Sequence, residues 1–150
     1  MKTIFSPWYQ TKIKYEKTME DGITKNVIES YVVPAYSHTQ AEERIREEMS
    51  SYISGDVEVT SIVPAKYNEI FFSEDDDADK YYKAKLVFIT IDEKTEKEKL
   101  TSSFYLVQAK SFTNAVENIQ EVMKTSMLDY KIASVTETNI LDVFVDDADR

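Results

Sequence analysis

The 150-residue sequence predicts an α+β protein: two tandem pseudo-symmetric ββαβ(β) repeats forming a mostly antiparallel twisted sheet with two helices on one face. Three observations carry this. Short segments alternate apolar and polar residues, each half holds one stretch of helical periodicity, and the halves repeat each other at about 73 residues. The repeat is plainest where Tyr31, Val33, Ala35, Ser37, Thr39, Ala41, Glu43 and Ile45 recur as Tyr105, Val107, Ala109, Ser111, Thr113, Ala115, Glu117 and Ile119. The opening "WYQTKIKY" (8–15) returns as "YYKAKLVF" (81–88), and "DDADK" (76–80) is echoed by "DDADR" (146–150). The organisation expected is a repeat unit over 1–72, an acidic linker over 73–80, a second repeat over 81–145 and an acidic tail over 146–150. Two copies at this long period fit a pair sharing one core rather than a solenoid.

The elements follow in order. Tyr9, Thr11, Ile13 and Tyr15 alternate with Gln10, Lys12 and Lys14, the pattern of a strand with one buried face. Asp21-Gly22 then supplies the positive φ of a tight hairpin, and "ESYVVPA" returns as the second strand. Ser37 is placed to cap a helix, with Gln40 three residues on to complete a capping box. Ala41, Ile45, Met49 and Tyr52 make its apolar stripe, Glu42, Glu43, Arg46 and Glu47 its wet side, and Gly55 its C-terminal cap. In the second copy Ser111 is the cap, Ala115, Ile119, Val122 and Met127 the stripe, and "DEKTEKEK" (92–99) a longer polar hairpin. Closing strands follow each helix, with Val59/Ile132, Ile62/Val135 and Ile70/Val143 keeping their apolar character. Read across the join, "EVTSIV", "YNEIFF", "KAKLVFITI" and "SFYLVQA" are four strands before one helix, an order that resembles the Whirly and PUR-type single-strand nucleic-acid-binding folds.

Composition excludes much chemistry. With no cysteine there is no disulfide scaffold, thiolate metal site or thiol nucleophile, and two glycines leave no room for a phosphate-cradling loop. The single histidine, His38, sits beside the helix cap with no readable nucleophile and is expected to be structural or merely exposed. Asp75, Asp77 and Asp79 start like a calcium loop, but Lys80 replaces the required glycine and Leu86 the required glutamate, so a solvated linker is the better reading. No catalytic residue, metal ligand or cofactor is expected. No apolar stretch is long enough for a signal peptide or a membrane span, which makes a soluble, cytoplasmic protein with no membrane association the expectation.

What remains is a surface. The strand face opposite the alternating core set carries Trp8, Lys12 and Lys14 in one copy and Tyr81, Lys83 and Lys85 in the other. Aromatic rings stack on exposed bases and lysines neutralise phosphates, so two such platforms suit single-stranded DNA or RNA. The structural alternative makes Trp8 and Tyr81 core edges and the lysines guards of an edge strand. The net charge of -10 is concentrated, with five acids in 74–79 and three in 146–149, so the body is nearly neutral. A protein-binding or inhibitory module acting through the acidic linker, the tail or a sheet edge is the second class of function.

The segments "KYEKT" (14–18), "EEMSSYISGDVEVTSI" (47–62), "AKYNEIFF" (65–72), "SFYLVQA" (103–109) and "DYKIASVTETNILDVF" (129–144) resemble an uncharacterised family of small proteins from gut Bacteroidales and their crAss-like phages. The resemblance runs from Trp8 to Phe144. It implies the duplicated unit and a bacterial or phage origin, and it transfers no activity and no functional residue. Such genes lie near phage replication functions, which inclines the reading toward nucleic acid. The expectation is a non-enzymatic binding protein for single-stranded nucleic acid, with protein binding as the alternative.

Overall fold

The computed structural model describes residues 1–149 and has two helices and nine strands in two mixed, mostly antiparallel sheets. The strands are β1 (Lys2–Ile4), β2 (Trp8–Thr18), β3 (Thr24–Pro34), β4 (Glu58–Ala65), β5 (Glu69–Phe72), β6 (Lys80–Ile91), β7 (Glu98–Ala109), β8 (Asp129–Glu137) and β9 (Ile140–Val143); the helices are α1 (His38–Met49) and α2 (Phe112–Met123). The α+β class and the antiparallel bias are as the sequence predicts. Instead of one sheet bearing both helices, there are two sheets, each with its own helix on one face. No helix among the described residues is long and apolar enough to cross a membrane.

Two compact units result, and their boundaries differ from those of the sequence copies. The first unit comprises 6–65 with 139–150, and the second comprises 1–5 with 66–138. In the first, the sheet order is β4-β2-β3-β9: β2 pairs antiparallel with β3 and β4, and β9 lies parallel to β3. In the second, β6 pairs antiparallel with β7 and β8, β5 lies parallel to β7, and β1 is added antiparallel to β5. Each unit is thus a hairpin, a helix, an antiparallel strand beside the first hairpin strand, and a parallel strand beside the second. The parallel strand comes from distant sequence, and this is why 69–72, expected in the first copy, belongs to the second unit. The same pairing separates the four strands read across the join, since β4 lies in the first sheet and β5, β6 and β7 in the second.

The helix-facing sides form two cores. In the first unit Ile13, Tyr31, Val33 and Ala35 of the sheet meet Ala41, Ile45 and Met49 of α1, with Tyr9, Val59 and Ile62 at the margin. In the second, Phe71, Tyr82, Ala84, Leu86, Tyr105 and Val107 meet Ala115 and Ile119 of α2. Both helices begin alike: Ser37 Oγ accepts from the Gln40 amide and Ser111 Oγ from the Asn114 amide, each at 3.1 Å. The third-position side chain then reaches one residue before the cap, with Gln40 Oε1 accepting from Tyr36 N and Asn114 Oδ1 from Lys110 N. The box expected at Ser37 is thus shifted by one residue, the side chain serving the amide before the cap in place of the cap's own. A bulge interrupts each sheet at matching places, between Lys12 and Ile13 and between Lys85 and Leu86.

Three expected details differ. Both helices end a turn early, so Tyr52 and Met127 leave the stripes and stand 76% and 96% exposed, while Met123 packs in the place expected of Met127. Gly55 is not a cap, because Ser50 ends α1 in right-handed geometry with its hydroxyl and amide on Glu47 O. The acidic stretches are also held. In 73–80, Gln108 accepts from Ser73 N and donates to Ala78 O, both at 3.0 Å, Ala78 is buried, and Lys110 meets Asp75 at 3.2 Å. The Asp77 amide and Lys110 hold the Asp75 carboxyl below the ordinary carboxylate range. The tail starts on Arg44, which donates to Asp146 Oδ1 at 2.6 Å and Val145 O at 2.7 Å, followed by a short 3-10 turn over Asp147–Asp149. Arg150, counted in the expected tail, lies outside the described residues.

Gln108 clasps both ends of this loop, so Gln108→Ala is expected to cost about 1–3 kcal/mol and to speed hydrogen exchange at Ser73 and its neighbours. Unchanged protection over 73–78 would show that the clasp contributes nothing.

Candidate functional site

The residues predicted to bind nucleic acid do not come together as expected. Trp8 and Tyr81 do lie opposite the helix-facing residues, but they are 2% and 3% exposed, and neither offers a ring face to a base. The indole Nε1 of Trp8 is buried with no hydrogen-bond partner. The two-platform arrangement therefore loses its aromatic half. Its lysines stay near the surface: Lys12, Lys14 and Lys83 are exposed and Lys85 is half-buried.

Register shows what surrounds them. In the first sheet Lys12 lies between Ser30 and Ser61, and Lys14 between Ile28 and Glu58, whose carboxylate offsets the charge. In the second sheet Lys83 lies opposite Thr136, Lys85 opposite Ser134, and Lys131 opposite Val87, so this face carries a row of three lysines and two hydroxyls. Across β7, Lys85 faces Phe104, and Lys83 Nζ sits 5.0 Å from the centre of that ring, a cation–π distance. Phe104 is half-buried and was not singled out by alternation, because it follows polar Ser102 and Ser103.

Beside Phe104, where β5 begins, a cleft of about 330 Å³ is lined by Lys66, Tyr67, Asn68, Ser102, Ser103 and Phe104. No acidic residue lines it. Asn68 fixes its floor: its amide donates to Phe104 O at 2.7 Å and its side chain to Tyr105 Oη at 3.3 Å. Burial pushes the Tyr67 hydroxyl up from its ordinary value. The only sequence hint of this cleft was the polar "KYN" before β5.

A second cleft, of about 470 Å³, lies in the first unit between β3, β9 and the end of α1. Glu29 Oε1 accepts from Tyr15 Oη at 2.7 Å and from Tyr31 Oη at 3.1 Å, while Lys17 Nζ stands 3.6 Å from Oε2. Tyr31 stacks on Phe144 with ring centres 5.6 Å apart. Burial, then the hydrogen bond to Glu29 and its charge, push the Tyr15 hydroxyl up to about 12. Burial, then the charge and hydrogen bond of Glu29, raise Tyr31 as well. His38, at the start of α1, is exposed.

With this geometry in place, comparison adds one finding. The profile of the family "Domain of unknown function (DUF4494)" matches residues 7–146. The chain belongs to this family. The match reaches into both compact units, from the start of the first hairpin to the start of the tail, and the family description assigns no activity. No curated protein and no solved structure matches the chain.

Proposed function

We propose that this DUF4494 chain is a non-enzymatic binding protein whose ligand is single-stranded nucleic acid, taken up along the lysine–hydroxyl row of the second sheet and the adjoining Phe104 cleft. The observation that carries this reading is a cleft without acidic lining in a protein of net charge -10, with Phe104, Tyr67 and Lys66 inside it and Lys83 and Lys85 at its margin. Lysines neutralise phosphates, serine and threonine hydroxyls donate to phosphate oxygens, and an aromatic ring accepts an unstacked base. A duplex is the poorer fit, because the bases of a paired strand are unavailable for stacking on Phe104. The first sheet contributes less, since Glu58 flanks Lys14 and no exposed ring adjoins Lys12.

Fluorescence anisotropy with single-stranded and duplex oligonucleotides at two salt concentrations tests this. Single strands are expected to bind with log K falling against log salt at a slope of about −2 to −3, as three or four phosphate contacts require. Replacing Lys66, Lys83 and Lys85 by Ala removes about 2 from that slope, and Phe104→Ala costs about 1–3 kcal/mol with the slope unchanged. Absence of binding at low salt, or equal binding by all variants, refutes the reading.

A further inference from the structure

The cleft beside Glu29 in the first unit has no role in nucleic-acid binding, and its charge is wrong for a phosphate. We infer that it is a binding site for an organic cation, a guanidinium or alkylammonium group on an apolar stem, presented by a partner protein's side chain or by a free small molecule. This inference stands independently of the proposed function.

Three observations converge on that chemistry. First, the Glu29 side chain is only 11% exposed, and its two oxygens are unequally served. Oε1 holds two tyrosine hydroxyls, whereas Oε2 has Lys17 at 3.6 Å, an ion pair longer than a hydrogen bond, from a side chain that is half in solvent. A carboxylate fixed on one side by two donors and loosely paired on the other is pre-set for a charge-assisted donor at the second oxygen.

Second, the walls suit a cation with a hydrocarbon stem. Met49, Leu141 and the stacked pair Tyr31–Phe144 give apolar surface, and Tyr52, 76% exposed, gives an accessible ring. Aromatic faces attract cations within about 6 Å, and alkyl stems pack on such walls while the charged head reaches an acceptor. Third, the electrostatics exclude the other ligand classes. Asp142 lines the same cleft as Glu29, so two carboxylates face it against one lysine, Lys17. Anions are repelled, and a neutral ligand would leave Oε2 to Lys17.

Lys17 thereby becomes a built-in competitor. It occupies the vicinity of Oε2 until a better-placed cation arrives, and the site should tighten when Lys17 is removed. A purely structural Glu29 network has no such property.

The test is titration of the full chain, followed by calorimetry and by side-chain NMR signals of the tyrosines, with N-acetyl-arginine amide, a five-residue peptide with a central arginine, and N-acetyl-norleucine amide as the neutral stem. Saturable binding of the two arginine probes and none of the norleucine probe is expected. Lys17→Ala should tighten binding by about 2–10-fold, and Tyr52→Ala should weaken it by about 3–10-fold. Glu29→Gln should weaken it by at least about tenfold. Lys17 and Tyr52 are exposed, so their variants stay folded and keep the test decisive even if Glu29→Gln does not. A peptide that binds more tightly than the amide upholds the site and names a protein partner as its source; equal affinities uphold it and name a small cation. No saturation by either arginine probe, equal binding of norleucine amide, or unchanged affinity in both Lys17→Ala and Tyr52→Ala overturns the inference.

Discussion

Phe71→Ala is expected to lower the unfolding free energy by about 3–5 kcal/mol, the largest effect of any single truncation considered for this chain. Phe71 is 1% exposed, its ring centre lies 5.0 Å from that of Tyr105, and it belongs to the core beneath α2. It is also the main anchor of a short strand. β5 pairs with β7 over Glu69, Ile70 and Phe71, flanked by the Asn68 and Ser73 bonds to the same strand, and β1 pairs with β5 in turn, so a cavity at Phe71 falls within the short stretch that holds both strands. Little collapse can fill it, because Leu86, Val107 and Ile119 are already fully buried around the same core. Urea unfolding should show a lower midpoint at unchanged slope, with a melting temperature down by roughly 10 °C. Phe5→Ala, at a position 69% exposed, should stay within about 0.5 kcal/mol. A Phe71→Ala loss no greater than that control would mean that β5 does not close the core.

That strand also shows where sequence reasoning reaches and where it stops. Period-two alternation found the helix-facing residues of β2 and β6, and Ser37, Ser111 and Asp21-Gly22 marked their caps and turn, because each is decided by neighbours within a few residues. Pairing β5 with β7 is decided by residues some 35 positions away, and nothing local in "EIFF" chooses between the strands on either side of it. The misread platform has a different cause. Alternation shows which residues share a face but not which face is wet, so it leaves Trp8 and Tyr81 open to two readings, base-stacking surface or core edge, and their burial favours the second. The contrary signal was present in "YVVPA" and "YLVQA", near-continuous apolar runs of the kind made by strands buried on both faces. Trp8 lies opposite Pro34 and Tyr81 opposite Gln108, each at the end of such a run. The Phe104 cleft and the Glu29 cleft escape local reading for the first reason, since each is lined from separate segments.

Glu29→Ala is the second substitution expected to have a large effect, about 2–4 kcal/mol at pH 8, because it removes the shared acceptor of two tyrosine hydroxyls. Lys17→Ala should cost no more than about 1 kcal/mol, as its ion pair is long and half exposed. The comparison separates loss of the hydrogen bonds from loss of the salt bridge. The same network fixes the alkaline limb of the stability profile. Tyr15 and Tyr31 are held protonated above their ordinary value of 10.0, Tyr15 to about 12. As pH rises through 10, the unfolded chain releases these protons first and the folded chain keeps them, so the folded state binds more protons and stability falls with pH. The contribution of Tyr15 is fully present below pH 10 and is lost between about pH 10 and 12, and that of Tyr31, raised further, is lost later. In Glu29→Ala the charge and the acceptor that help hold those protons are gone; burial remains to raise both hydroxyls, with the charges of Tyr15 and Asp142 still acting on Tyr31. Its curve should therefore start lower at pH 8 and fall less steeply above pH 10, converging on the unsubstituted protein. Urea unfolding at intervals from pH 8 to 11 measures both features, and parallel curves across that range would show that Glu29 does not control the titration of its two tyrosines.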